Sequence, residues 1–278
     1  MNTKTIIEII RENNLYPNKK LGQNFLCNDG IIKKIIEVSA VDKDDAVLEI
    51  GPGLGGLTAM LVAKAGSVTA VEIDSGLFSY LNFRFIAVDN LTILHSDFLK
   101  TDLNAVFTKA IANLPYYCSS EMLFHLAVKY KIKEIFVMLQ KEMAERILSA
   151  PGSKTYGALT VALGLYYEAK ILFNIDKKSF YPQPDVSSAF IYFKRREDIG
   201  LSDDELRLFH SIVKSAFWGR RKTLKKGLTD SPHLVVDKAI IINTFNELNI
   251  NEKIRGEDLS IEEFKNITRS IYKLTKTK

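Results

Sequence analysis

Asn113-Leu114-Pro115-Tyr116 is the group of residues in this chain best equipped for chemistry. The amino group of a nucleobase is a weak nucleophile, because its lone pair is delocalised into the ring. Two acceptors aimed at its N–H bonds would localise that pair and let it attack an electrophile. The Asn113 side-chain oxygen can serve as one acceptor and the Leu114 carbonyl as the other. Pro115 fixes the backbone that follows, and Tyr116 offers an aromatic face on which an extruded base can stack. The same four residues also describe a strand end with an X-Pro turn and a core tyrosine, so the decision falls to what lies upstream.

Upstream, Val47-Leu48-Glu49-Ile50 runs into Gly51-Pro52-Gly53-Leu54-Gly55-Gly56. A buried strand ending in glycines lets the backbone approach a ligand at the carboxyl edge of a sheet. Gly51, Gly53 and Gly56 satisfy the spacing of a dinucleotide fingerprint, and Glu72 stands about where an acid would hold a ribose. A nicotinamide cofactor is therefore a genuine alternative. Two further strand ends separate the readings. Asp97, after the apolar stretch 91–95, is placed to accept from an adenine amine, and Asn113 follows the next strand. Glycines, a ribose acid, an adenine acceptor and a base clamp at successive strand tips suit S-adenosylmethionine, which has no phosphate for a turn to hold. They leave hydride transfer unexplained. No metal is expected, because the four histidines and the cysteines Cys27 and Cys118 show no ligand spacing.

These side chains need a scaffold that brings strand ends together. Strand patterns at 46–50, 67–73, 91–95, 109–112 and 134–138 alternate with helical patterns at 57–65, 76–85 and 121–130. That alternation predicts right-handed βαβ units and a parallel sheet. Two β-rich runs, 163–173 and 186–193, flank Pro182-Gln183-Pro184 and predict an antiparallel pair at the sheet edge. Ser202 with Glu205 forms a capping box, after which Leu206, Phe209, Ile212, Val213 and Phe217 recur at helical spacing. Helical patterns continue at 235–248 and 261–272. The expected architecture is α/β: a doubly wound, Rossmann-like domain over 1–198 and a small all-helical domain over 199–278.

The chain has 278 residues, 46% apolar and 26% charged, as ordinary soluble globular proteins do. No stretch approaches the ~18 apolar residues of a membrane span. Glu8, Arg11 and Glu12 interrupt the N-terminal amphipathic stretch, so it lacks a signal-peptide core. Two cysteines form no disulfide framework. A cytoplasmic monomer is expected. The net charge of +5 permits a nucleic-acid partner without requiring one. Its distribution is more telling: from Arg207 to Gly227 there is no acid, whereas Lys214, Arg220, Arg221, Lys222, Lys225 and Lys226 all fall there, beside Phe217 and Trp218. Arg220, Arg221, Lys222 and Lys225 are thus candidate phosphate contacts, with Arg221 and Lys225 one helical turn apart.

With these motifs the chain resembles the rRNA adenine-N6 dimethyltransferase family, the KsgA type of bacteria, over nearly its whole length. Lys20-Leu21-Gly22-Gln23-Asn24-Phe25-Leu26 is similar to that family's N-terminal cofactor motif. Glu49-Ile50-Gly51-Pro52-Gly53, Val71-Glu72-Ile73-Asp74 and Asn113-Leu114-Pro115-Tyr116 follow in family order. Phe180-Tyr181-Pro182-Gln183-Pro184, Arg220-Arg221-Lys222-Thr223 and Arg255-Gly256-Glu257-Asp258-Leu259-Ser260 are also similar to family motifs. The resemblance implies that Asn24, Leu26, Gly51, Gly53, Glu72, Asp97 and Asn113 line an S-adenosylmethionine site. It implies a class I methyltransferase fold and dimethylation of two adjacent adenosines in the 3′-terminal hairpin of 16S rRNA, within the small ribosomal subunit. Phe180 becomes a candidate second stacking face beside Tyr116. Tyr117-Cys118 departs from the Asn-Ile common in relatives and bears on the shape of the base pocket.

Overall fold

The computed structural model describes residues 2–18, 21–219 and 221–276. Packing divides the chain into two units, Met1–Ala144 with Ala169–Arg195, and Glu145–Glu168 with Arg196–Lys278. The helical unit is thus larger than the segment 199–278, because residues 145–168 pack with it.

The strands are β1 (Phe25–Leu26), β2 (Ala46–Ile50), β3 (Ser67–Glu72), β4 (Leu91–His95), β5 (Lys109–Asn113), β6 (Glu134–Gln140), β7 (Tyr167–Ile175), β8 (Phe180–Tyr181) and β9 (Ser188–Arg195). Seven of them form one sheet in the order β4-β3-β2-β5-β6-β9-β7. The pairs joining β4, β3, β2, β5 and β6 are parallel, and β9 is antiparallel to β6. Strands buried on both faces need apolar residues throughout, which is why β2, β5 and β6 read as near-continuous apolar runs. Val47, Leu48, Ile111, Ile135 and Val137 are fully buried.

From β2 the chain steps through α3 (Gly56–Lys64) to β3, then through α4 (Ser75–Arg84) to β4. It then returns to β5 on the other side of β2 and passes through α5 (Ser119–His125) to β6. The order therefore reverses between β2 and β5, and a crevice opens outside the carboxyl ends at such a switch point. Register keeps those ends level: Ile50 lies opposite Val71 and Ala112, and Glu72 opposite His95. Ile32, Ile35 and Ile36 of α2 (Asp29–Ser39) pack with Leu57 and Leu61 of α3 and with Val47, Val68, Ile111 and Phe136. Each such side chain contributes roughly 1.5–3 kcal/mol by leaving water.

The expected edge pair is present as β7 and β9. Residues 163–166, however, are not strand but the end of α7 (Ala158–Tyr166). Val161, Leu163, Leu165 and Tyr166 are all buried, and an apolar run without alternation does not tell helix from strand. At the N-terminus, Ile6 of α1 (Thr3–Glu12) packs with Phe25, Leu54 and Leu77. β1 pairs with β8, Phe25 opposite Tyr181 and Leu26 opposite Phe180, which anchors the segment leading into α2.

α6 (Lys141–Ile147) follows β6, and the helical unit contains α7, α8 (Asp203–Ala216), α9 (Leu224–Asp230), α10 (Lys238–Glu247) and α11 (Ile261–Lys276). The Ser202–Glu205 capping box starts α8, with Ser202 N–H donating to Glu205 Oε2 at 2.8 Å. Phe209, Ile212, Phe264 and Ile271 are fully buried between α8 and α11. Among the described residues no helix is long and apolar enough to cross a membrane.

Candidate functional site

A cavity of about 320 Å³ lies at the switch point, and all four predicted strand ends contribute to it. Gly51 (φ 67°) and Gly53 (φ 58°) adopt left-handed backbone, which glycine reaches without strain. A Cβ on Gly53 would stand 3.0 Å from Phe25 Cδ1, whereas one on Gly51 would meet only Asn113 O, at 3.8 Å. The main chain at Gly51 thus faces open space. Phe25 both lines the cavity and packs with Ile6, Leu54 and Leu77.

Glu72, at the tip of β3, is held by two amides: Gly53 N–H donates to Oε2 at 3.2 Å and Asp74 N–H to Oε1 at 2.9 Å. A carboxylate has about four acceptor positions, so two remain for a ligand. Burial pushes its pKa up to about 7. Asp97 also lines the cavity. Its Oδ1 accepts from Leu99 N–H at 3.0 Å, and Lys100 lies 3.4 Å from Oδ2.

Glu49 is the residue that sequence reasoning passed over. It sits inside β2, lines the cavity, and its Oε2 is buried without a hydrogen-bond partner. Burial first, and then the nearby Glu72 charge, pushes it up to about 8. The available signal was a carboxylate interrupting a buried strand two residues before the glycines.

Asn24, Leu26, Asn113, Leu114, Pro115 and Tyr116 line the same cavity. Asn113 Nδ2 donates to Asn24 O at 2.9 Å, and Asn24 Nδ2 to Gly22 O at 3.0 Å. With its NH₂ so engaged, Asn113 keeps Oδ1 as the acceptor. The Pro115 and Tyr116 carbonyls accept from Cys118 N–H (3.4 Å) and Ser119 Oγ (3.2 Å) on the way into α5. Tyr116 OH lies 2.9 Å from Oγ of the fully buried Ser188, at the start of β9. Burial raises the Tyr116 hydroxyl pKa further, so the ring is neutral.

Phe180 is a correction. It is 3% exposed and packs with Ile32, Ile36 and Phe190 in the core rather than lining the cavity. Its apolar ring gains more from that burial than from an exposed position, and pairing with Leu26 fixes it there. Among the described residues no group of three or more His, Cys, Asp or Glu side chains is placed to hold a metal ion.

In the helical unit two cations of the basic run, Lys222 and Lys225, meet acids that lie outside 207–227. Lys225 Nζ lies 2.6 Å from Glu252 Oε1, and Lys222 Nζ lies 4.0 Å from Asp230 Oδ2 and 4.0 Å from the Trp218 ring centroid. Thr223 caps α9, so Arg221 and Lys222 precede the helix, and Arg221 does not stand one turn from Lys225 on it. Arg221 is exposed, and Arg220 lies outside the described residues.

The family model for ribosomal RNA adenine dimethylase matches residues 14–273. "Ribosomal RNA small subunit methyltransferase A" of Clostridium botulinum (Type A) is 39% identical over 278 residues, covering 98% of this chain and 99% of that protein. The protein of the same name from Lachnoclostridium phytofermentans is 38% identical, covering 94% and 93%. A dimethyladenosine transferase from Plasmodium falciparum superposes with a TM-score of 0.79 at 28% identity, over 90% of this chain and 98% of that one. The 23S rRNA methyltransferase ErmE, at 24% identity and a TM-score of 0.67 over 90% of this chain, shares the fold. A class I methyltransferase sheet whose switch-point cavity gathers Glu72, Asp97 and the Asn113 tetrapeptide thus accompanies full-length sequence similarity, and the chain belongs to the ribosomal RNA adenine dimethylase family.

Proposed function

We propose that this chain dimethylates N6 of two adjacent adenosines in the 3′-terminal hairpin of 16S rRNA, within the small ribosomal subunit, and so takes part in ribosome biogenesis. S-adenosylmethionine is the cofactor and supplies a methyl group already activated by its sulfonium. The site fits that ligand: the unpartnered Glu49 Oε2 offers an acceptor to its cationic end, and the open face of Gly51 leaves room beside the main chain. Glu72 would hold the ribose hydroxyls, Asp97 the adenine amine, and Asn24, Leu26 and Gly53 the remaining walls.

The observation that carries the reading is the commitment of the Asn113 amide nitrogen to Asn24 O. It turns Oδ1 into a fixed acceptor for one N–H of the target amine, with Leu114 O as the second. Fixed acceptors cost no reorganisation during reaction. Tyr116, held by Ser188, gives the flipped base its stacking face. After the first transfer one N–H is gone, so stacking must retain the base for the second. The proton released from the alkylated amine passes to water. In the helical unit Arg220, Arg221, Lys222 and Lys225 would follow rRNA phosphates. The protein would act as a monomer in the cytoplasm and without a metal.

The test is to supply labelled cofactor with under-methylated small or large subunits and digest the RNA to nucleosides. Label is expected in N6,N6-dimethyladenosine from small subunits. Label confined to large-subunit rRNA would overturn the assignment of the small-subunit substrate.

A further inference from the structure

Tyr116 and Tyr117 are neighbours in the chain with opposite surroundings. Tyr116 is partly buried, and its hydroxyl is fixed to Ser188. Tyr117 lines the same cavity, yet it is 63% exposed. Its Cδ1 stands 3.7 Å from where a Cβ on Gly22 would lie, so one ring edge rests near the turn of the N-terminal motif. Trp218, the exposed aromatic of the helical unit, is covered by Lys222. Among the described residues no ring or cation stacks on Tyr117.

Leaving a large aromatic face in water forgoes its burial, and at the mouth of a cavity a flat ligand restores it. A single exposed aromatic elsewhere on the surface would need no explanation. Here the ring follows directly on the residue that stacks the target base. The site must also engage RNA in which the base next to the target is itself a target.

We propose that Tyr117 is the stacking platform for the nucleotide beside the flipped adenosine, so that one adenosine of the pair lies against Tyr116 while its neighbour is held on Tyr117. The inference rests on the dimethyltransferase reading of the site. Tyr117 acts on the RNA as a positioning and specificity residue.

Tyr117→Ala and Tyr117→Phe are compared with wild type on under-methylated small subunits. Mass spectrometry of the excised hairpin fragment follows each adenosine, and equilibrium dialysis measures S-adenosylmethionine affinity. Tyr117→Ala should raise KM for the subunit at least fivefold, lower kcat less, and leave fragments carrying methyl groups on one adenosine only. Tyr117→Phe should stay within twofold of wild type. Melting temperature should be unchanged in both, and any change in cofactor affinity should be smaller than the change in KM for the subunit, which a merely structural role would not give. An Ala variant with wild-type KM and even modification overturns the proposal, as does a Phe variant as impaired as Ala. Inactivity of the wild-type chain on small subunits would overturn the underlying reading, and it is distinguishable because it appears without any substitution.

Discussion

The cofactor end of the sheet and the basic run of the helical unit both carry polar groups meant for a ligand, but they hold them differently. At the sheet, three of the groups are fixed by buried or main-chain partners: Glu72 by Gly53 and Asp74, Asn113 by Asn24, Tyr116 by Ser188. In the basic run, long side chains meet acids outside the run, Lys225 with Glu252 and Lys222 with Asp230 at the end of α9. Such surface pairs are worth about 0–1 kcal/mol and exchange readily for a phosphate. A rigid site therefore concentrates its effect in single residues, whereas a solvated one spreads it over many.

The comparison breaks most sharply at Asn113. Asn113→Ala removes an acceptor oriented for the transition state, a change that costs about 2.7–4 kcal/mol where such groups have been deleted. Single-turnover methyl transfer should fall at least ~100-fold, with the circular dichroism spectrum unchanged. Cofactor affinity should fall modestly, because the link to Asn24 O goes as well. Near-wild-type turnover would remove Asn113 from the mechanism.

Glu72→Ala should act on binding. Hydrogen bonds to a charged group are worth about 1.5–3 kcal/mol, so calorimetry should find S-adenosylmethionine bound roughly ten- to a hundredfold more weakly. Unchanged affinity would show that the carboxylate serves only to hold Gly53 N–H and Asp74 N–H.

Much of this site was legible in the sequence because a parallel sheet converts order along the chain into proximity. Glycines, Glu72, Asp97 and Asn113 each stand at or just beyond a strand end, and strands in register end together. What was not legible depends on partners distant in sequence. The Ser188 that fixes Tyr116 lies 72 residues on, and it enters through the antiparallel strand β9. Phe180 read as a candidate stacking face, and the pairing of β1 with β8 that sets it in the core instead joins segments about 150 residues apart. Residues 145–168 read as a continuation of the first domain because no linker composition marks their departure. The acids opposing Lys222 and Lys225 lie at 230 and 252, beyond the window in which the basic run was counted.

Glu49 offers a gentler probe of the rigid site. Its folded pKa, about 8, lies above the ordinary 4.5. At pH below about 4.5 the folded and unfolded chains are both protonated and the full contribution to stability is present. Between 4.5 and 8 the unfolded chain releases the proton while the buried group keeps it, so stability falls as pH rises. Glu49→Gln mimics the protonated form. Without cofactor it should melt close to wild type near pH 5 and several degrees higher near pH 8.5, at roughly 2–4 °C per kcal/mol. Glu72, raised to about 7, should leave part of the pH slope in place. Identical melting curves across this range would show that Glu49 is solvated in the free protein.

The smallest effects belong to the basic run, and there the two pairing states can be set against each other. Each phosphate contact contributes about 0.7–0.9 to the slope of log K against log salt. Arg221 is exposed, so Arg221→Gln should lower the slope for rRNA by nearly that amount. Lys225 must first leave Glu252, so Lys225→Gln should lower it less. Glu252→Gln removes the competitor, leaves Lys225 charged, and should tighten RNA binding while cofactor affinity stays constant. Equal losses at Arg221 and Lys225, with no gain from Glu252→Gln, would mean that the Lys225–Glu252 pair opens at no cost when RNA binds. If none of the three variants changes the slope, the run is a solvated surface, and the RNA must be held by other cations of the chain.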